Sequence, residues 1–389
     1  MWHNALSYLA NSIRIMQINK LIEKLSWLKN RIQKDLFPHL VECFNDPITE
    51  KQRQLIAILE VVEVERYVRS ASYQWMGRKL SDRCAIARAF VAKAVYNLKT
   101  SVMLIETLKA AGNVRRICGF EKRSDIPSES TFSRAFAEFA ESELGDRVHE
   151  ALVKSQLAGQ LIGHIARDAT AIEGREKPQK KAKPVVETVR VPKKKGRPKK
   201  GEVRESKAED TRLKQQVNQT AAEGLADVST ACDVGCKKNA KGYKETWVGY
   251  KLHLDTADCG LPVTAVLTSA SVHDSQVAIP MLRMSTGRVE YLYDLMDSAY
   301  DAAQIREVSR SLGHVPIIDP NPRGQKVVPL SPAESVRYNE RSASERANAR
   351  LKEEFGGDNV MVRGAKKVKL HLMFGVIALF ADQLLKLVT

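Results

Sequence analysis

Two aspartates and one helical face carry the residues of this sequence that could do chemistry. Asp168 ends the apolar run Leu161-Ile162-Gly163-His164-Ile165-Ala166-Arg167, and Asp297 ends the run from Val289 to Met296. Phosphodiester chemistry on DNA calls for divalent cations, two of them about 3.5–4 Å apart in the two-metal form, and Mg²⁺ takes hard oxygen ligands on rigid elements. If the two runs are neighbouring strands, both carboxylates project from the same sheet edge. Taken singly, a strand-end Asp also serves as a turn former or helix cap.

The third carboxylate comes with company. Tyr338, Arg341, Glu345 and Lys352 are separated by three, four and seven residues, offsets that fall on one face at 3.6 residues per turn. Such a face presents a metal carboxylate flanked by an aromatic ring and two cations, suited to a phosphate held beside a metal. The alternative is an exposed helix laced with ion pairs, helped by Glu340, Arg346, Arg350, Glu353 and Glu354. Where the helix begins matters. A capping box at Ser342-x-x-Glu345 leaves Tyr338 outside, whereas one at Ser331-Pro332-Ala333-Glu334 keeps all four residues in one helix.

The elements that must position these groups follow from periodicity. Residues 1–156 read as helical, with apolar positions three and four apart, as in Leu55, Ile58, Leu59 and Val62, or Cys84, Ala87, Phe90, Val91, Ala94 and Val95. Within them, Val102 to Gly119 and the segment after Pro127 read as helix, turn and a second helix capped by Ser128 or Ser130. This fits a helix-turn-helix or two helices of a bundle. Residues 157–389 form the second unit, interrupted at about 174–245 by a basic, Pro- and Gly-containing excursion read as mostly loop. Strands are expected at 161–168, 247–254 and 261–267, the last two forming a hairpin around Asp258-Cys259-Gly260. Helix 276–284, strand 289–296, helix 302–312, strand 314–318 and a long helical end follow. The whole is a mixed α/β sheet preceded by an all-α region.

Composition narrows the partners. The 389 residues carry 62 Lys+Arg against 46 Asp+Glu, a formal charge of +16. That surplus attracts polyanions, nucleic acid first among them. The six scattered cysteines, and an opening without a basic segment followed by an apolar core, fit reduced thiols in a cytoplasm. The apolar run Leu372 to Ala381 is ten residues, against the roughly 20 of a membrane span, and reads as a buried helix; no membrane partner is expected.

With these residues in place, the sequence resembles the insertion-sequence DDE transposases of the IS-four and IS-five type. Their signature, Tyr, two residues, Arg, three residues, Glu, six residues, Lys, is met by Tyr338-Arg341-Glu345-Lys352 at every spacing. Asp297-Ser298-Ala299-Tyr300-Asp301 fits the context of the family's second Asp and favours Asp297 over Asp294. Asp168-Ala169-Thr170 fits that of the first, and Trp247-x-Gly249-Tyr250-Lys251-Leu252-His253 and Val272-His273-Asp274-Ser275 resemble segments between them. The resemblance covers roughly the C-terminal 230 residues and, more faintly, the region from Ile126 to Phe136. It implies an RNase H-like catalytic domain with Asp168, Asp297 and Glu345 as catalytic ligands of two Mg²⁺ (or Mn²⁺) ions. Tyr338, Arg341 and Lys352 would hold DNA near the cut, and His273 and Asp274 would support the site. The implied reaction nicks an element's end and joins the freed 3′-hydroxyl to target DNA. The implied partners are the terminal inverted repeats, the target duplex and a second subunit in a synaptic homodimer at the nucleoid.

The basic excursion departs from the simplest family pattern. Lys193-Lys194-Lys195-Gly196-Arg197-Pro198-Lys199-Lys200 resembles an AT-hook, in which Arg197 enters a narrow minor groove while Lys193, Lys194, Lys195, Lys199 and Lys200 meet phosphates. It also reads as a solvated loop gripping phosphates without sequence preference. A non-catalytic DNA-binding protein using this loop is the competing function; a stand-alone metal nuclease shares the site but not the joining step. Cys232-x3-Cys236 with His253 and Cys259 is a weaker motif that could be weighed as a zinc set, although paired two-residue cysteine spacings are absent.

Overall fold

The computed structural model describes residues 47–68, 81–179, 211–238, 242–322 and 328–388. The AT-hook-like segment from Lys193 to Lys200 lies outside the described residues.

The first half is helical: α1 (Glu50–Val62), α2 (Arg83–Val95), α3 (Ser101–Ala110), α4 (Gly112–Cys118), α5 (Glu129–Glu141) and α6 (Leu144–Gln156). Apolar spacing explains these helices, and their caps explain where they start. Thr49 closes a capping box with Gln52, Asp82 accepts from the Cys84 N–H, and Thr100 accepts from the Met103 N–H. The expected single helix from Val102 to Gly119 is instead two, broken at Ala111. Ser128 occupies the cap position of α5, its hydroxyl turned to those of Ser130 and Thr131.

The sheet begins with β1 (Leu161–Glu173) and includes β2 (Asp233–Lys238), β3 (Lys244–Ala257), β4 (Pro262–Ser269), β5 (Glu290–Met296) and β6 (Val315–Ile318). Its order is β2-β3-β1-β5-β6, with β4 on β3 as well. β3 runs antiparallel to β1, β2 and β4, while β1, β5 and β6 are mutually parallel. The excursion is therefore not all loop. Two short helices, α7 (Arg212–Gln216) and α8 (Ala221–Ala226), pack on α9 (Ser275–Thr286), and β2 extends the hairpin.

β3 changes partners midway along one edge, from β2 to β4, and Gly249 sits at the change. With φ at 152°, an added Cβ there would fall 2.2 Å from the Ile172 carbonyl oxygen and 2.4 Å from the Gly174 nitrogen, both backbone. Gly249→Ala is expected to cost about 2–4 kcal/mol, combining overpacking with backbone strain. Urea unfolding would measure it, and a loss below half a kcal/mol would mean that β1 and β3 can part locally without cost.

α10 (Ala303–Ser311) joins α9 on one face of the sheet around Ile279, Leu282, Met296 and Ile305. The other face carries the helical half, α11 (Pro332–Tyr338), α12 (Ser342–Glu353) and α13 (Ala365–Val388). α13 returns to the first half of the chain, packing on α1, α2, α5 and α6 as well as β4. Phe374 of α13 stacks on Phe90 at 5.7 Å, and Phe90 lies 4.8 Å from Phe136. By length and composition α13 could cross a membrane, but 78% of its most apolar window is buried inside the protein, as in a core helix.

Candidate active site

β1 continues to Glu173, so Asp168 lies within the strand and not at its end as the apolar run suggested. What stops beside it is the parallel pairing, whose last register is Arg167 opposite Met296. The next residue on each strand is an aspartate, so Asp168 and Asp297 stand side by side where β5 leaves the sheet.

Side-chain alternation sends Arg167 and Asp168 to opposite faces. Arg167 is fully buried and makes a two-pronged ion pair with Asp255 of β3, 2.7 Å at each prong; Ser285 donates to the same carboxylate at 2.6 Å. Asp168 faces α12, where Asn348 Nδ2 donates to its Oδ2 at 3.0 Å and Arg341 Nη1 lies 3.5 Å from its Oδ1. Asp297 caps a short 3₁₀ turn (Ser298–Tyr300), its Oδ1 accepting from the Ala299 N–H at 2.9 Å. The cap uses one oxygen and leaves the other for the site. Asp294 is buried elsewhere, accepting from Ser309 and Tyr291.

The helical face is continuous through a 3₁₀ step at Asn339–Arg341. Ser331 and Glu334 form the capping box that starts it, while Ser342 makes no cap for α12. Tyr338, Arg341, Glu345 and Lys352 thus all lie on the α11–α12 arm. Tyr338 packs near Ala166, Leu295 and Ile317, beneath the Arg341 guanidinium. Arg341 reaches Asp168 with Nη1 and Glu345 with Nη2, so one guanidinium holds both carboxylates. Glu345 is 57% exposed, and Lys352 pairs with Asp358 at 3.8 Å. Among the described residues, no three acidic, His or Cys side chains surround a single point, so the Glu345 carboxylate is not gathered with the two aspartates.

The donor set nevertheless fits a hard divalent cation. The available atoms are carboxylate oxygens, two strand carboxylates are crowded together, and Arg341 supplies at that point the positive charge a cation would bring. The Asp168 carboxyl is pushed up to about 6, chiefly by burial; Arg341 opposes the rise, the Asp297 charge adds to it, and the Ala169 and Asn348 hydrogen bonds lower it. Asp297 is also raised, mainly by burial. A carboxyl held above its unfolded value contributes stability in full below about pH 4 and loses it as pH rises through about 6. In the absence of divalent ions, Asp168→Asn is therefore expected to be more stable than wild type at pH 7.5 by about 1–3 kcal/mol, a difference that shrinks toward pH 4. Thermal melts in chelator at both pH values check this, and an unchanged or lower melting temperature at pH 7.5 contradicts it.

The cysteine set is not brought together. Cys232 donates to the Glu176 carbonyl, Cys236 is exposed on β2, and His253 is buried against the Thr268 hydroxyl at 2.9 Å. Asp274 instead lies near Asp297 and holds Lys251 at 2.8 Å, while His273 bonds Ser275 at its own turn. Sequence reasoning missed Asn348 and the Arg167–Asp255 pair. The first had a signal, an asparagine three residues past Glu345 inside a helix, where Asn is a poor former.

This geometry agrees with a family match. Residues 161–381, more than half of the chain, match the Transposase DDE domain. The chain belongs to the DDE transposase family. A second match, to a transposase domain called DUF772, covers residues 42–138 in the helical half of this transposase. No curated protein and no solved structure is a significant match.

Proposed function

We propose that this transposase, of the IS-four and IS-five type, cuts the ends of an insertion sequence and joins them to target DNA at a site built from Asp168, Asp297 and Glu345. The observation carrying the proposal is the side-by-side placement of Asp168 and Asp297 under a helix whose Arg341 holds Asp168 and Glu345 together. An RNase H-like fold for residues 157–389 is supported by the strand order: β1, β3 and β4 are antiparallel in turn, β5 and β6 run parallel to β1, and β2 is an addition on β3.

Asp168, Asp297 and Glu345 would hold Mg²⁺ or Mn²⁺, which when bound supplies Lewis-acid activation of the attacking oxygen and charge neutralisation at the phosphate. The protein's part is placement. β1 and β5 fix the two aspartates on rigid elements, Glu345 of α12 would be drawn to them when the cation binds, and Arg341, released from the carboxylates, would turn to the DNA phosphate. Tyr338 and Lys352 flank the same arm and hold the strand beside the cut. In the first step water breaks the phosphodiester at the element's end and leaves a 3′-hydroxyl. In the second that hydroxyl bonds to a target phosphorus while a target 3′-oxygen leaves, exchanging one phosphodiester for another. The N-terminal region, residues 1–156, and the basic segment Lys193 to Lys200, with Arg197 at its centre, would grip the inverted repeats and neighbouring phosphates. Pairing two ends calls for a homodimer.

The test is incubation of the protein with Mg²⁺ and DNA carrying the terminal repeats that flank its gene, with a second unlabelled duplex present. Cleavage followed by transfer of the labelled 3′ end establishes the transposase reaction. Cleavage without transfer favours a nuclease, and binding without cleavage in Mg²⁺ or Mn²⁺ favours a DNA-binding module that has lost the chemistry.

A further inference from the structure

The amide of Asn348 is a buried, uncharged polar group in contact with the acidic site. It is 5% exposed, lies on α12 one turn beyond Glu345, and donates through Nδ2 to Asp168 Oδ2 at 3.0 Å. Its other atom, Oδ1, is buried with no hydrogen-bond partner. A buried amide carbonyl without a partner is costly, and in a native protein such an atom calls for an explanation. Its neighbours on α12 are satisfied without it: Ser344 donates to the Arg341 carbonyl, and Arg341 is shared between Asp168 and Glu345. Packing alone gives no reason for an amide here. Ala347 and Leu351, the adjacent inward positions, are apolar.

Asparagine carbonyls are good ligands for hard divalent cations, and ligating carboxylates are themselves usually pinned by a hydrogen-bond donor. Asn348 offers both functions from one side chain. We propose that Asn348 is a positioning residue of the acidic site, orienting Asp168 through Nδ2 and offering Oδ1 as a neutral oxygen donor to a divalent cation held by Asp168 and Asp297. This rests on the reading of Asp168 as a metal ligand. It explains why Asn348 approaches Asp168 with its N–H side, leaving the acceptor unused: the donor silences one carboxylate oxygen and the acceptor waits for a cation.

The test is Mn²⁺ binding to the full-length protein without DNA, followed by electron paramagnetic resonance, comparing wild type, Asp168→Asn, Asn348→Ala and Asn348→Asp. Asp168→Asn should abolish the site, and Asn348→Ala should weaken it about 10–100-fold, the usual effect of losing a supporting group. Asn348→Asp keeps an oxygen donor but loses the N–H that orients Asp168, and should bind more tightly than Asn348→Ala. A melting series guards against simple misfolding. Saturating Mn²⁺ should raise the melting temperature of Asn348→Ala least and that of Asn348→Asp more, an ordering that a packing role does not produce. If Asp168→Asn loses the ion but Asn348→Ala binds it as wild type does, the role of Asn348 is overturned while the acidic site stands. If wild type and Asp168→Asn bind Mn²⁺ equally, the reading of Asp168 as a ligand falls, and Asn348 with it.

Discussion

Glu345→Gln will cut terminal DNA about 10³-fold or more slowly than wild type, equivalent to about 4 kcal/mol of barrier, while binding that DNA equally well. The replacement is isosteric and removes only the charge. Folding should be nearly indifferent, because the side chain is 57% exposed and its ion pair with Arg341 is an i,i+4 pair on a helix surface. Such pairs are worth about 0.3–0.5 kcal/mol. In the proposed site the chemistry would not be indifferent, because an amide cannot supply the negative oxygen that Glu345 would bring to a divalent cation held by Asp168 and Asp297. Single-turnover cleavage in Mg²⁺, with binding measured by mobility shift and a melt to show an unchanged fold, separates these effects. Wild-type cleavage by Glu345→Gln would reduce the Arg341–Glu345 contact to a surface ion pair and remove the helix carboxylate from the active site.

Asp255→Ala will be among the most destabilising single substitutions in the sheet, at about 3–5 kcal/mol. Arg167 is fully buried, both its prongs end on Asp255, and Nη1 also donates to the Met296 sulfur at 3.7 Å. Burial works against its charge, and Asp255 is the main group that restores it. Truncating Asp255 strands that charge and leaves the Ser285 hydroxyl without its short acceptor. The consequence reaches the site, since Arg167 immediately precedes Asp168 and shares the last parallel register with Met296, next to Asp297. Thermal or urea unfolding measures the loss. The double replacement Arg167→Met, Asp255→Leu should recover most of it, because the penalty comes from an unpaired buried charge more than from the missing attraction. A single-variant loss under 1 kcal/mol would mean that water or a rearranged carboxylate, such as Asp294, reaches Arg167.

Much of the candidate site was legible along the chain because a helix is a local object. Offsets of three, four and seven put Tyr338, Arg341, Glu345 and Lys352 on one helical face, but whether Tyr338 belongs to the arm depended on the start, which the capping box at Ser331 decides. The two apolar runs ending in Asp168 and Asp297 were equally visible, since strand burial writes itself as hydrophobicity. The strand Asp233–Lys238 was not, because its Gly, Cys and Lys residues carry no alternation and its pairing with β3 is nonlocal.

By itself, then, the sequence determined the types of residue available for chemistry, their order, the helical arm, the basic charge and the split between a helical half and a mixed sheet. Only the tertiary structure decided that Asp168 and Asp297 share a register, because the pairing of β1 with β5 joins residues more than a hundred positions apart and no local period encodes it. It alone decided that Arg341 stands between Asp168 and Glu345, that Asn348 turns its amide on Asp168, and that α13 closes the core of the first half. These are matters of which charges and surfaces meet once the chain is packed, and a side chain's partner across the fold depends on the depth and angle of every element between them.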